Sequence, residues 1–128
     1  MQNLSNRINM SDESLQTIKT EMQEIMNISG VYFVMLCSAD GFELISLHKR
    51  HAFNTSKLAA VSSSILAMIS AFLKEIQLIG CQSITLDAEN AKAVLTSIQS
   101  HAQPLILVTL ADQDVLLGQL LHALKKLK

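Results

Sequence analysis

Charged side chains are scarce. Asp, Glu, Lys and Arg make up 16% of the 128 residues, and the formal net charge is −1. A chain so close to neutral carries no strong electrostatic footprint for nucleic acid. Apolar residues reach 49%, which excludes a disordered acidic or basic tail, because such tails are poor in apolar surface. Cysteine is limited to Cys37 and Cys81, which belong to no CxxC or Cys/His spacing, so two buried free thiols in a reducing compartment are expected. Long apolar runs are missing as well. Leu58–Leu73 has 16 residues and contains Ser62, Ser63, Ser64 and Ser70, while Ala93–Ala111 is broken by Gln99, Ser100, His101, Gln103 and Pro104. A membrane-spanning helix needs about 20 mostly apolar residues, so no membrane insertion is expected. No apolar signal core follows the polar start Met1–Met10, and the expected compartment is the cytoplasm.

What is present is one domain's worth of apolar chain. Residues 1–11 read as a loose tail and 12–128 as the domain. A soluble chain this apolar and this weakly charged is expected to bury surface against another molecule as well as itself. Ser11 is placed to cap a helix over about 12–27, with Asp12 and Glu13 in its first turn and Leu15, Ile18, Met22, Ile25 and Met26 at helical spacing. Val31–Cys37 is a continuous apolar run typical of a central strand, and Asp40-Gly41 turns it into a return strand over Phe42–Leu47.

The polar connection His48-Lys49-Arg50-His51 leads to Asn54 and Thr55, the cap candidates of a helix running to about residue 79. Leu58, Val61, Ile65, Met68, Ile69, Phe72 and Ile76 share one face of that helix, the pattern of packing against a sheet. Ala60, Ser64, Ala67 and Ala71 form a second stripe of small residues on nearly the opposite face, where another helix can approach closely. Gly80 stands where a helix-ending glycine is expected. Gln82–Asp87 alternates as a half-buried strand, Asn90-Ala91-Lys92 turns it, and Ala93–Ile98 and Leu105–Leu110 are two further strands. Asp112 or Asp114 is then expected to cap a helix with Leu116, Leu117, Leu120, Leu121, Leu124 and Leu127 on one face. The order α-β-β-α-β-β-β-α implies an α/β (α+β) domain. Its single five-stranded antiparallel sheet would carry the middle helix on one face and the terminal helices on the other.

Catalytic chemistry has little to work with. There is no P-loop, GxGxxG, GxSxG or HExxH. His48 and His51 lie in a basic loop without a nearby cysteine or carboxylate, so solvated histidines account for them better than a metal does. Asp12, Glu13, Asp112 and Asp114 read as helix starts and Asp40 as a turn residue. No enzyme, cofactor or metal is expected. Lys49 and Arg50 in the basic loop, together with Lys57 and Lys74, are candidate contacts to an acidic partner, although such a charge run also serves simply to keep a loop solvated.

Taken together, Ile28-Ser29-Gly30-Val31, Ser38-Ala39-Asp40-Gly41-Phe42, Leu58-Ala59-Ala60, Gly80 and Leu117-Gly118 occur in an order that resembles the roadblock/dynein-light-chain family, over about residues 12–127. The resemblance implies the roadblock (profilin/longin-like) fold and a non-catalytic homodimer. In it, the strand Gln82, Ser83, Ile84, Thr85, Leu86, Asp87 would pair with its copy, and Ala60, Ser64, Ala67 and Ala71 would line a helix pair. It further implies a Ras-like small GTPase as partner, as for bacterial members that regulate gliding motility, or else a structural scaffold or motor light chain without effect on nucleotide turnover. Any acceleration of hydrolysis would come from positioning the GTPase's own residues, since no arginine finger is evident. Asn90-Ala91-Lys92 departs from the family in lacking its usual glycine.

Overall fold

The computed structural model describes residues 12–49, 54–99 and 104–127. The elements run α1 (Asp12–Met26), β1 (Val31–Ser38), β2 (Glu43–His48), α2 (Thr55–Glu75), β3 (Ser83–Asp87), β4 (Ala91–Gln99), β5 (Pro104–Asp112) and α3 (Leu117–Lys125). The strands form one sheet in the order β2-β1-β5-β4-β3, with every pairing antiparallel. The architecture expected from the element order is therefore present.

Alternation along the central strands builds two cores. Val34, Leu36, Val94, Ile98, Leu105 and Leu107 point to the face covered by Met22 and Ile25 of α1 and by Leu120 and Leu124 of α3. Phe33, Met35, Cys37, Leu95, Ile106 and Val108 point to the other face, where Ala59, Leu58, Ile65 and Leu66 of α2 pack. β1 and β5 are buried on both faces, which is why they read as continuous apolar runs.

Two glycines fix how the helices approach. Gly41 has φ +98°, and a Cβ there would stand 3.3 Å from Ala60 Cα. The β1–β2 turn thus lies against α2, and Ser63 donates its hydroxyl to the Ala39 carbonyl across the same contact. Ser38 and Asp40 close the turn, with the Phe42 N–H donating to Ser38 Oγ at 3.1 Å. Gly30, with φ +97°, comes equally close to Val115, and its carbonyl accepts the Asp112 N–H at 2.7 Å.

Helix ends correct the sequence reading in several places. Asn54 caps α2, accepting the Lys57 N–H at 3.0 Å as expected. The other end stops at Glu75 rather than near 79, and it is Gln77, with φ 64°, that takes the left-handed position closing the helix, while Gly80, with φ 72°, lies in the link beyond it. The Leu78 N–H reaches the Leu73 carbonyl at 2.8 Å and the Gln77 N–H reaches Lys74 at 3.1 Å, the paired bonds of a Schellman ending. The last helix is capped by neither aspartate. Its N-cap is Leu116 without a side-chain bond, because Asp112 still belongs to β5 and the turn closes through Val115 N–H to the Asp112 carbonyl. The β3–β4 turn falls on Glu89 and Asn90, with β4 already beginning at Ala91, and Asn90 keeps a negative φ. Ser11, Arg50 and His51 lie outside the described residues.

Candidate interaction face

Chemistry at the surface is sparse. No group of three or more His, Cys, Asp or Glu side chains converges among the described residues. Both cysteines are free, as expected, but only Cys37 is buried; Cys81 is half-buried, because it lies in the link that leads to the sheet edge. Burial together with the Glu43 carboxylate pushes the Cys37 thiol up to about 12, so it is no nucleophile at neutral pH. Burial and the neighbouring Glu24 raise Glu21, which lies on α1 at a cleft closed by His122 and Lys126 of the α3 end.

The conspicuous surface is α2 and the strand that follows it. Only Ala59 and Ser62 of the helix are buried. Leu58, Ile65 and Leu66 pack onto the sheet, and Ile69 and Leu73 are half-buried, but Val61, Met68 and Phe72 are exposed. Met68 is 66% and Phe72 60% exposed, and Ile76 and Leu78 are similarly bare. The seven-residue stripe read as core is therefore split. Its centre is displaced because Leu66 and Leu73, which that stripe omits, pull the sheet-facing side round by part of a turn. The signal was available: with those two included, the apolar arc is wider than one sheet contact can cover.

Positions on a helix advance by about 100° per residue, which orients the remaining faces. Ser63 and Ala60 touch the β1–β2 turn, so Val61, Met68 and Phe72 form the flank turned away from it. Ala60, Ser64, Ala67 and Ala71 are all exposed and point outward, opposite the sheet. Lys57 and Lys74 are exposed at the two ends of that outward face, about 25 Å apart along the helix, and so do not form one site. Lys49 is exposed just beyond β2. By length and composition alone, α2 is also the one helix among the described residues long and apolar enough to cross a membrane, which corrects the count taken over Leu58–Leu73, because the helix extends to Thr55 and Glu75.

β3 is an edge strand with only β4 beside it. Ile84 faces α2 and is half-buried, and Leu86, on the same face, is 42% exposed. Ser83, Thr85 and Asp87 point to the α3 face and are exposed; Asp87 pairs with Lys92 of β4 at 2.8 Å. The edge has no proline, no bulge and no lysine of its own, the usual means by which proteins blunt such an edge. Beyond α2, Leu78 and Ile79 leave the helix into solvent, Ile79 at 93% exposure. Seven large apolar side chains between residues 61 and 86 are thus uncovered, which is the mark of an interaction surface.

No protein-family model matches the sequence, and no curated protein matches it. Solved structures do. Myxococcus xanthus MglB superposes with a TM-score of 0.78 at 18% identity, covering 86% of this chain and 87% of that one. The gliding protein MglB from Thermus thermophilus gives 0.81 at 16% identity, covering 91% and 87%. A roadblock/LC7 domain from Streptomyces avermitilis gives 0.71 at 14% identity, covering 83% and 86%. With TM-scores of 0.71–0.81 over most of each chain, the protein has the roadblock/LC7 fold of MglB, as the resemblance in sequence implied.

Proposed function

We propose that the protein is a non-catalytic, cytoplasmic homodimer that binds a Ras-like small GTPase and modulates its nucleotide cycle or its localisation. The observation that carries the reading is an open edge strand beside a helix whose apolar flank is bare, on a fold shared with MglB. Pairing β3 with its copy continues the sheet, and it brings two α2 helices onto one face where Val61, Met68 and Phe72 cover each other. The contact between helices then runs along this lateral flank. The small stripe Ala60, Ser64, Ala67 and Ala71, with Lys57 and Lys74 at its ends, stays outward and remains accessible to a partner.

Two measurements test this. Sedimentation of the purified chain is expected to give twice the monomer mass; a monomer at micromolar concentration would overturn the dimer. The dimer is then used as bait in its source cell's lysate, once with GDP and once with a non-hydrolysable GTP analogue. Recovery of a small GTPase in one nucleotide state supports the regulator. Capture of other proteins regardless of nucleotide would replace it with a scaffold.

A further inference from the structure

β3 can pair with a copy of itself in several registers, and its own residues select one. In the β3–β4 ladder the Ser97 N–H donates to the Gln82 carbonyl at 3.0 Å and the Ala88 N–H to the Ala91 carbonyl at 3.0 Å. The even-numbered residues therefore turn their backbone groups inward to β4, and Ser83, Thr85 and Asp87 turn theirs to the open edge. With both α2 helices on one face of a shared sheet, the two-fold axis stands normal to the sheet, and residues directly opposite must share a face. Only registers with a residue on the axis meet that condition: Ile84, Thr85 or Leu86.

We infer that Thr85 lies on the axis, and that the partner's Asp87 seats at a cavity rimmed by Ser83 and Lys125. The inference rests on the homodimer reading. In this register Ser83 opposes the partner's Asp87 and Thr85 opposes its copy, so every outward N–H and C=O of the five-residue strand finds a partner. With Ile84 or Leu86 on the axis, the strand's own residues match only partly. Side-chain chemistry agrees on both faces. Ile84 meets the partner's Leu86 beside α2, and the hydroxyl of Ser83 meets a carboxylate on the other side. The two Asp87 side chains are held about 13 Å apart along the strands rather than facing each other.

The cavity supplies an independent reason. It measures about 260 Å³ and is lined by Gln82, Ser83, Thr96, Leu121, Leu124 and Lys125. Ser83 stands directly across the ladder from Thr96, on the α3 face. Thr96 is 3% exposed and its hydroxyl has no hydrogen-bond partner, while Lys125 is exposed and cationic. The Lys125 ammonium and the Ser83 and Thr96 hydroxyls all have protons to donate here. An ionised Asp87 has oxygen lone pairs to spare beyond its bond to Lys92, so the second copy brings what the rim calls for.

Single cysteines placed at Ile84, Thr85 or Leu86 in a Cys81→Ser background read the register directly. A disulfide needs Cα atoms within about 7 Å, which directly opposed residues satisfy and diagonal neighbours, at about 7–8 Å, do not. Thr85→Cys is expected to cross-link to itself at least tenfold faster than Ile84→Cys or Leu86→Cys under mild oxidation. Faster cross-linking at 84 or 86 in a chain that still sediments as a dimer would overturn the register alone. A monomer in that experiment would overturn the dimer beneath it. For the cavity, Asp87→Lys and Lys125→Asp are each expected to raise the dimer Kd at least tenfold and, combined, to return it to within threefold. Losses that simply add would show that the two side chains do not meet.

Discussion

Phe72→Ala puts the proposed interface to a quantitative test. The side chain is 60% exposed on the flank of α2 that turns away from the β1–β2 turn. A phenylalanine offers roughly 200 Å², so about 120 Å² is open to be covered, worth about 3 kcal/mol at ~25 cal/mol per Å² if burial were complete. Alanine keeps part of that area and the burial is incomplete, leaving about 1.5 kcal/mol per site. Two-fold symmetry counts the loss twice, about 3 kcal/mol in all, or roughly a 100-fold rise in the dimer Kd. The assay is sedimentation velocity over a dilution series, with urea unfolding to show that the protomer loses less than about 0.5 kcal/mol. Leu116→Ala is the control, since Leu116 is similarly exposed at the start of α3 on the opposite face of the sheet. A Kd within threefold of the parent, or equal weakening by both substitutions, would refute the assignment of this flank.

Three further predictions concern the protomer. Gly41→Ala combines a left-handed backbone with a Cβ 3.3 Å from Ala60 Cα, and a loss of about 2–3 kcal/mol in urea unfolding is expected; a loss below about 0.5 kcal/mol would mean that α2 can retreat from the turn. Gln77→Gly removes a side chain from the left-handed ending of α2, and the same assay is expected to show a gain of about 0.5–1 kcal/mol; destabilisation would show that Gln77 has a contact role. The Cys37 thiol is raised from 9.0 to about 12 in the folded chain, so unfolded chains release this proton first. Its contribution to stability is complete below about pH 9 and is lost progressively between about 9 and 12. At pH 8 a thiol reagent is expected to leave Cys37 unlabelled until urea is added, and rapid native labelling of both cysteines would contradict its burial.

Much of this architecture was legible in the residues. Val31–Cys37 and Leu105–Leu110 are apolar throughout because β1 and β5 are covered on both faces, and Asp40-Gly41 marks a turn that needs a positive φ. What could not be read from periodicity was the rotation of α2 about its axis. Leu58, Ile65 and Phe72 share one arc, and only the pull of Leu66 and Leu73 toward the sheet separates the covered members from the bare ones. Helix ends failed for a different reason. Gly80 has the ordinary chemistry of a C-terminal stop and does take φ 72°, but α2 has already ended at Glu75, and Gln77 accepts the left-handed position that closes it, against its residue preference. The edge at β3 was half legible. Its alternation was plain, but which of its backbone groups face outward depends on the pairing with β4.

The central place of β5 has a consequence for how the chain folds. β1 with β2 and β3 with β4 are neighbours in sequence, so each pair can form as a local hairpin. The strand that joins them is the last of the five, and Val31 meets Ala111 only across 80 residues (111 − 31). Closure over that distance gives the molecule a high contact order, and refolding is set on a scale slower than that of helical bundles of equal length. On the ribosome the first hairpin and α2 emerge well before the strand that will seat them. The bare apolar flank of α2 is for that interval joined by the helix's uncovered sheet-facing side, a liability to be shielded until residue 112 is made.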